Sequence, residues 1–283
     1  MHPDRDPRHA RPVRRGRLRS AVQRRLRRHA PPLADRPPPP CPPAWHTAPP
    51  DFVGVGVQRA GTSWWFDELC RHADVHRARD VPKELHFFDG FSDRELTGDD
   101  ISRYHRWFPR PEGGIAGEWT PRYVYDPWSV PLLAKAAPAV RCLLMLRDPI
   151  DRFRSALTFQ RRRGVSHQDA VLDAYHRGLY ASQVARLLQH VPRDRVLVFT
   201  YEEARSSPRA TRRSTAEFLG LDPTRFEGDI ELREPHHRDR RTDRDLSDEI
   251  VPELTERYRA DLTSLARLLP ELDVGRWSVS GGE

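Results

Sequence analysis

Three short clusters in this 283-residue chain combine cations, hydroxyls and a carboxylate at spacings suited to work on an anion. The first is Gly54-Val-Gly-Val-Gln-Arg-Ala-Gly-Thr-Ser63, where an apolar run meets a glycine-containing turn and then a helical pattern. A loop of this kind aims backbone N–H groups at phosphate oxygens, and the helix dipole adds to the attraction. It resembles the phosphate loop G-x-x-x-x-G-K-[ST], but Thr62 stands where the lysine would follow Gly61, and the nearest cation is Arg59. A tight turn with Thr62 or Ser63 as a plain helix cap is the competing reading. The second cluster is Leu146-Arg-Asp-Pro-Ile-Asp-Arg-Phe-Arg-Ser155. Asp148 and Pro149 are ordinary helix-start grammar. Arg147 is different, because it leaves an apolar strand as a cation, and Ser155 shares a helical face with Arg152. Arginine with a helix hydroxyl can clamp a phosphate monoester; a surface ion pair is the alternative for Arg147. The third cluster, Pro82-Lys-Glu-Leu-His-Phe-Phe-Asp89, offers a base, cations and an apolar wall, or else a surface ion pair beside a core strand.

These clusters need a frame to hold them, and the hydrophobic pattern supplies one. Phe52–Val57 reads as a first strand and Thr62–His72 as a helix. A second extended stretch leads to Phe87 and Phe88, and a third surrounds Tyr123–Tyr125. Ser129–Ala137 suggests a helix. Val140–Leu146 is a nearly continuous apolar run, as expected of a strand buried on both faces. A helix then starts at Asp148-Pro149, and Tyr180–Val191 marks another. Arg195–Thr200 is a fifth strand, Pro208–Leu219 is helical with Gly220 as its C-cap, and Leu254–Leu269 carries a 3.6 period. Strands spaced by helices imply an α/β fold of three layers, P-loop-like, with a central parallel sheet flanked by helices. Ligands in such folds bind at the carboxyl ends of the strands, where all three clusters fall.

Composition divides the chain in two. Residues 1–50 hold 13 of the 27 prolines, 12 arginines and three acids, a net +9, so residues 51–283 carry −2. The basic balance therefore belongs to an Arg/Pro-rich leader, and the body is not read as a nucleic-acid binder. Residues 1–50 are expected to be disordered and 51–283 to form the working domain. Within the leader, Leu18, Val22 and Leu26 make Val13–Arg28 a weak basic amphipathic helix, a tether to an anionic membrane surface at most. No run of eighteen apolar residues suggests a membrane span, and no secretory signal pattern is read. Three cysteines without metal-ligand spacing fit reduced thiols and a cytoplasmic setting. Arginine outnumbers lysine 46 to two, as in a GC-rich, bacterial genome. Adjacent His236 and His237 cannot easily face one ion, so no metal is expected.

Taken together and in this order, the motifs resemble the sulfotransferases that use 3′-phosphoadenosine-5′-phosphosulfate (PAPS), over essentially residues 51–278. The run Lys83–Asp89 is similar to the glycan and heparan sulfate branch. Further likenesses are Gly117-Glu-Trp-Thr-Pro-Arg-Tyr123, Phe218-Leu-Gly-Leu221 and a C-terminal helix followed by Trp277. The resemblance implies a loop of Arg59, Ala60, Gly61, Thr62, Ser63 and Trp64 around the phosphosulfate, with Arg147 and Ser155 on the 3′-phosphate. It implies Glu84 as general base, Arg59 and Lys83 stabilising charge on the sulfuryl and bridging oxygens, and His86 with Asp89 orienting the acceptor or Lys83. PAPS would be the co-substrate, no metal would be required, and the acceptor would be a hydroxyl, less readily an amine, on a sugar or secondary metabolite. The sequence departs from the family at Arg59, usually lysine, and at Trp119, often lysine in the glycan branch; a planar fork does not replace a point charge conservatively. The stretch Arg233–Arg241 falls where a late loop covers the nucleotide. A P-loop kinase using ATP and magnesium, and a non-enzymatic anion-binding module, are the alternatives.

Overall fold

The computed structural model describes residues 36–78, 81–231 and 250–279. The elements run β1 (His46–Thr47), β2 (Phe52–Gly56), α1 (Thr62–Leu69), β3 (Val75–His76), α2 (Gly98–His105), β4 (Pro109–Arg110) and β5 (Ile115–Trp119). They continue with α3 (Ser129–Ala136), β6 (Arg141–Leu146), α4 (Pro149–Arg162), α5 (His167–His176), α6 (Tyr180–His190) and β7 (Val196–Thr200). Last come α7 (Tyr201–Ser206), α8 (Pro208–Leu219) and α9 (Val251–Leu268). Five strands form a sheet in the order β3-β5-β2-β6-β7, and every neighbouring pair is parallel. Helices flank it, as the alternating pattern implies. Among the described residues no helix is long and apolar enough to cross a membrane.

The central strands are apolar because both faces are covered: every residue of β2 is buried, and so is all of β6 except Arg141. Gly54 and Gly56 belong to the strand rather than to the turn. A Cβ on Gly54 would lie 2.0 Å from the Trp119 ring, and one on Gly56 would lie 2.5 Å from Val124. Trp119 is fully buried there and donates from Nε1 to Gly56 O at 3.2 Å. Trp119 is thus a core indole in this chain, not a side chain free to meet a ligand.

Two expected strands lie elsewhere. The stretch leading to Phe87 and Phe88 ends in a 3₁₀ turn over Phe87–Phe91, and Tyr123–Tyr125 is turn. The sheet's two unexpected strands are the two-residue β3 and β5, whose Gly117 and Glu118 interrupt the apolar run that marks a buried strand. Gly117 is required, since a Cβ would sit 2.2 Å from Phe52 O on β2. Residues 36–50, expected to belong to the leader, touch the body: β1 pairs antiparallel with β4, and Arg110 donates to Pro49 O at 2.8 Å. The stretch Val13–Arg28 and the segment Arg233–Arg241, with His236 and His237, lie outside the described residues.

Helix α4 begins as the Asp-Pro pair predicts. Asp148 Oδ1 accepts from Ile150 N at 2.8 Å and Asp151 N at 3.3 Å. Its other oxygen, Oδ2, accepts from Ser278 N at 2.5 Å and Ser278 Oγ at 2.6 Å. Next to it, the buried Trp277 donates to Glu202 Oε2 at 3.1 Å, while Glu202 Oε1 accepts from Asp148 N at 3.1 Å. Gly220 closes α8 with φ of 76°, a left-handed value that costs glycine nothing.

Candidate active site

A cleft of about 420 Å³ opens at the carboxyl ends of β2 and β6. Its wall carries Arg59, Gly61, Thr62, Ser63, Glu84, His86, Arg147 and Ser155, so all three sequence clusters meet in one place. Ala60, by contrast, is fully buried and does not line it. Trp64 does, but its indole N–H is spent on Glu231 O at 3.0 Å.

Helix α1 starts at Gly61, whose φ of 88° lets the chain turn sharply, and no side chain caps it. Its first-turn N–H groups and dipole are therefore directed at the cleft. The plain-cap reading of Thr62 and Ser63 fails here: their hydroxyls instead accept from Lys83 Nζ, at 3.1 and 3.2 Å. Lys83 thus puts an ammonium over the start of α1, beside the place where the phosphate-loop lysine is missing.

Arg59 takes another position. It adopts a left-handed φ of 72°, donates from Nε to Ser155 Oγ at 3.1 Å, and stacks 4.9 Å from the Phe159 ring centre. Arg147 donates to Arg59 O at 3.2 Å and lies 4.7 Å from the centre of the Tyr201 ring. Burial, then repulsion from Arg147, Arg162 and Arg152, holds the Arg59 pKa below its usual value. Arg147 Nε is buried with no hydrogen-bond partner among the described residues. Two crowded guanidiniums, one with an unspent donor, fit an anionic group. Arg152 does not join them; it is fully buried and donates to Ala174 O, so the shared face with Ser155 serves packing.

Across the cleft, Glu84 is held from both sides. Oε1 lies 3.0 Å from Lys83 Nζ, and Oε2 lies 3.1 Å from His86 Nε2. His86 Nδ1 in turn meets Asp89 Oδ2 at 3.0 Å. His86 and Asp89 therefore orient Glu84 itself, a role not expected from sequence. Burial alone would lower the His86 pKa, but the hydrogen bonds to Asp89 and Glu84 raise it to about 9. Burial pushes Glu84 up, yet His86 and Lys83 outweigh it and hold the carboxyl below its ordinary value. His86 therefore faces Glu84 as a cation at neutral pH, and burial draws Lys83 below its usual pKa against the pull of Glu84.

What holds this loop in place is a residue the sequence reading passed over. Glu118, at the end of β5 and 1% exposed, accepts from Leu85 N at 3.0 Å and from the hydroxyls of Tyr104 and Tyr123 at 3.0 Å each. Thr120 Oγ also donates to it. Thr120 Oγ1 accepts from His86 N at 3.2 Å, and Tyr123 Oη accepts from Phe87 N at 2.9 Å. Three successive amides, those of residues 85–87, are thus tied directly or through one hydroxyl to a single carboxylate. In sequence, Glu118 shows as an acid inside an otherwise apolar strand end and as part of the Gly117–Tyr123 likeness, neither of which assigns it this role.

A parallel sheet with a strand–loop–helix anion cradle at its carboxyl edge defines a P-loop-like α/β protein. The chain belongs to the sulfotransferase family: the family's sulfotransferase domain matches residues 49–238. It is 25% identical over 204 residues to the human bifunctional heparan sulfate N-deacetylase/N-sulfotransferase 3, covering 62% of this chain and 22% of that protein. It is 26% identical over 114 residues to the membrane-associated sulfotransferase kil1 of Dictyostelium discoideum, covering 39% of this chain and 23% of that one. The chain thus spans under a quarter of the length of these curated relatives. A solved sulfotransferase from Alicyclobacillus acidocaldarius superposes with a TM-score of 0.64 at 26% identity, over 81% of this chain and 99% of that one. Sulfotransferase STF9 from Mycobacterium avium shares the fold, with a TM-score of 0.53 at 13% identity over 91% of this chain and 81% of that one.

Proposed function

We propose that this chain moves a sulfuryl group from PAPS to an acceptor hydroxyl, with Glu84 as the general base. The observation that carries the reading is the placement of Glu84, ionised and clamped between Lys83 and His86, across one cleft from Arg59, Arg147 and Ser155. The unspent Arg147 Nε and the uncapped start of α1 fit the two anionic ends of such a donor. When bound, the donor supplies the sulfuryl group and an already stable phosphate leaving group. Arg147 and Ser155 would hold the 3′-phosphate. Lys83 and the first-turn N–H groups would face the phosphosulfate, stabilising charge that grows on its oxygens. Arg59, fastened to Ser155, would lie between the two anions.

Glu84 accepts the acceptor's proton as its oxygen becomes nucleophilic. His86 and Asp89 fix the carboxylate's direction, a contribution of geometry rather than of acidity. The reading includes a cytoplasmic, bacterial setting, supported by three free cysteines. Calorimetry without magnesium tests the donor: PAP, the desulfated form of PAPS, should bind at least about tenfold tighter than AMP or ADP, since a charge-assisted phosphate contact contributes roughly 1.5–3 kcal/mol. Equal affinities, or ATP preferred only with magnesium, would favour the kinase reading.

A further inference from the structure

The two halves of the cleft differ in charge. On the donor side, Arg59 and Arg147 line the cleft and Lys83 Nζ stands over the start of α1; besides Glu84, the carboxylate paired with them is Asp151, 3.8 Å from Arg147 and half-exposed, while Asp67 and Glu118 act on Lys83 and Glu202 on Arg147. Beyond His86 the balance changes. Arg122 Nε lies 2.6 Å from Asp126 Oδ2 and 3.7 Å from Asp89 Oδ2, and Arg177 Nε lies 2.9 Å from Asp173 Oδ2. Four carboxylates, Glu84, Asp89, Asp126 and Asp173, thus meet two arginines and His86, with exposed Arg163 stacked on Phe159 at the rim. Among the described cleft residues of this half, Arg163 alone has no carboxylate partner, and it stands exposed at the rim, stacked on Phe159, while Arg122, Arg177 and His86 are each paired with a carboxylate.

Asp173 also has an oxygen to spare. Both of its hydrogen bonds, from Gln160 Nε2 at 2.6 Å and from Arg177 Nε, end on Oδ2. Oδ1 takes none among the described residues, and the side chain is 34% exposed on the cleft wall. A carboxylate held by one oxygen and open at the other accepts a hydrogen bond from a hydroxyl or an ammonium and repels an anion.

We propose that the acceptor is a neutral or cationic polyhydroxyl molecule, anchored through a hydroxyl or ammonium hydrogen by Asp173 Oδ1, and not a polyanion. This rests on the donor-site reading above. Three phenyl glycosides of equal size separate the charge classes: phenyl β-glucoside, phenyl β-glucosaminide and phenyl β-glucuronide. Their binding to the full chain saturated with PAP is measured by calorimetry, and their sulfated products with PAPS by mass spectrometry. The glucoside and the glucosaminide should bind at least about tenfold tighter than the glucuronide, and Asp173→Ala should remove most of that difference. Asp173→Asn should weaken the glucosaminide more than the glucoside. PAP affinity, which reports a folded donor site, should stay unchanged in both variants. A glucuronide that binds as well as the glucoside would overturn the proposal. So would Asp173→Ala with unaltered glycoside binding, or a protein that binds PAP and none of the three. A wild-type chain that does not bind PAP would remove the donor reading first, and this proposal with it.

Discussion

The loop from Val57 to Ser63 and the loop from Lys83 to Phe91 face each other across the cleft and are built on opposite principles. Each has a non-glycine residue held in the left-handed region, Arg59 at φ 72° and His86 at φ 51°. Such conformations cost about 1–3 kcal/mol and persist only where surroundings enforce them. At Arg59 the surroundings are cationic and partly unsatisfied, as the proposed anionic donor would require. At His86 they are a row of ion pairs backed by Glu118, with charges matched inside the protein and only Asp89 Oδ1 left without a hydrogen bond among its described groups. Under the proposed function, the contrast would separate an anion cradle, which needs surplus charge, from a proton-transfer site, which needs fixed charge.

The largest effect should come from the fixed side. Glu84→Gln keeps size and hydrogen bonding but removes basicity, and should lower turnover by roughly 10²–10⁴ while PAP affinity stays within a few-fold. A variant that keeps a tenth of wild-type turnover would show that the base lies elsewhere.

Next is Glu118→Leu, which leaves the Leu85 amide and the Tyr104, Thr120 and Tyr123 hydroxyls buried without their acceptor. At roughly 1–3 kcal/mol for each unpaired group, with relaxation recovering part, denaturant titration should show a loss of about 3 kcal/mol or more. Turnover should fall even where the variant is folded. A stability unchanged within error would mean that the network does not support the loop.

On the cradle side the expected effect is smaller and confined to binding. Arg147→Ala should weaken PAP by roughly tenfold or more at little cost in stability, because its guanidinium serves the anion more than the fold. If PAP binding were indifferent to Arg147, the contrast between the two loops would lose its main support.

The pH dependence of stability sharpens the comparison further. His86 titrates at about 9 in the folded chain against 6.5 ordinarily. The stability it adds is fully present below about 6.5 and is lost as pH rises through about 9, on the order of 2 kcal/mol. Thermal melts between pH 6 and 10 should show this decline in the wild type and a flatter profile in His86→Gln. Smallest of all, deletion of residues 1–35 should leave Tm and PAP binding unchanged. Deletion of 1–50 removes β1 and the carbonyl that accepts from Arg110, and should lower Tm by a few degrees.

The cradle was the more legible half because its grammar is local. The apolar run of β6, the Asp148-Pro149 helix start and the Gly61 turn each depend on residues within a few positions, and each lies where the pattern puts it. The fixed half depends on partners far apart in sequence: Glu118 bonds an amide 33 residues away, and periodicity carries no trace of that. The same acid, with Gly117, also broke the apolar pattern and displaced the third strand to Tyr123–Tyr125. The Arg152–Ser155 spacing shows the limit of facial arguments, since one turn of helix separates a buried packing arginine from a cleft hydroxyl.

The fastening of Asp148 to Ser278 has a consequence for how the protein is made. The two partners are 130 residues apart, and Trp277 completes the same junction through Glu202. At synthesis rates of about 5–20 residues per second, Asp148 waits roughly 6–26 seconds for Ser278 to be added. During that interval the turn carrying Arg147 can gain its helix cap and its bonds to Tyr180 and Glu202, but not the clasp of Ser278. The clasp at Asp148 is therefore the last of these bonds that synthesis makes available.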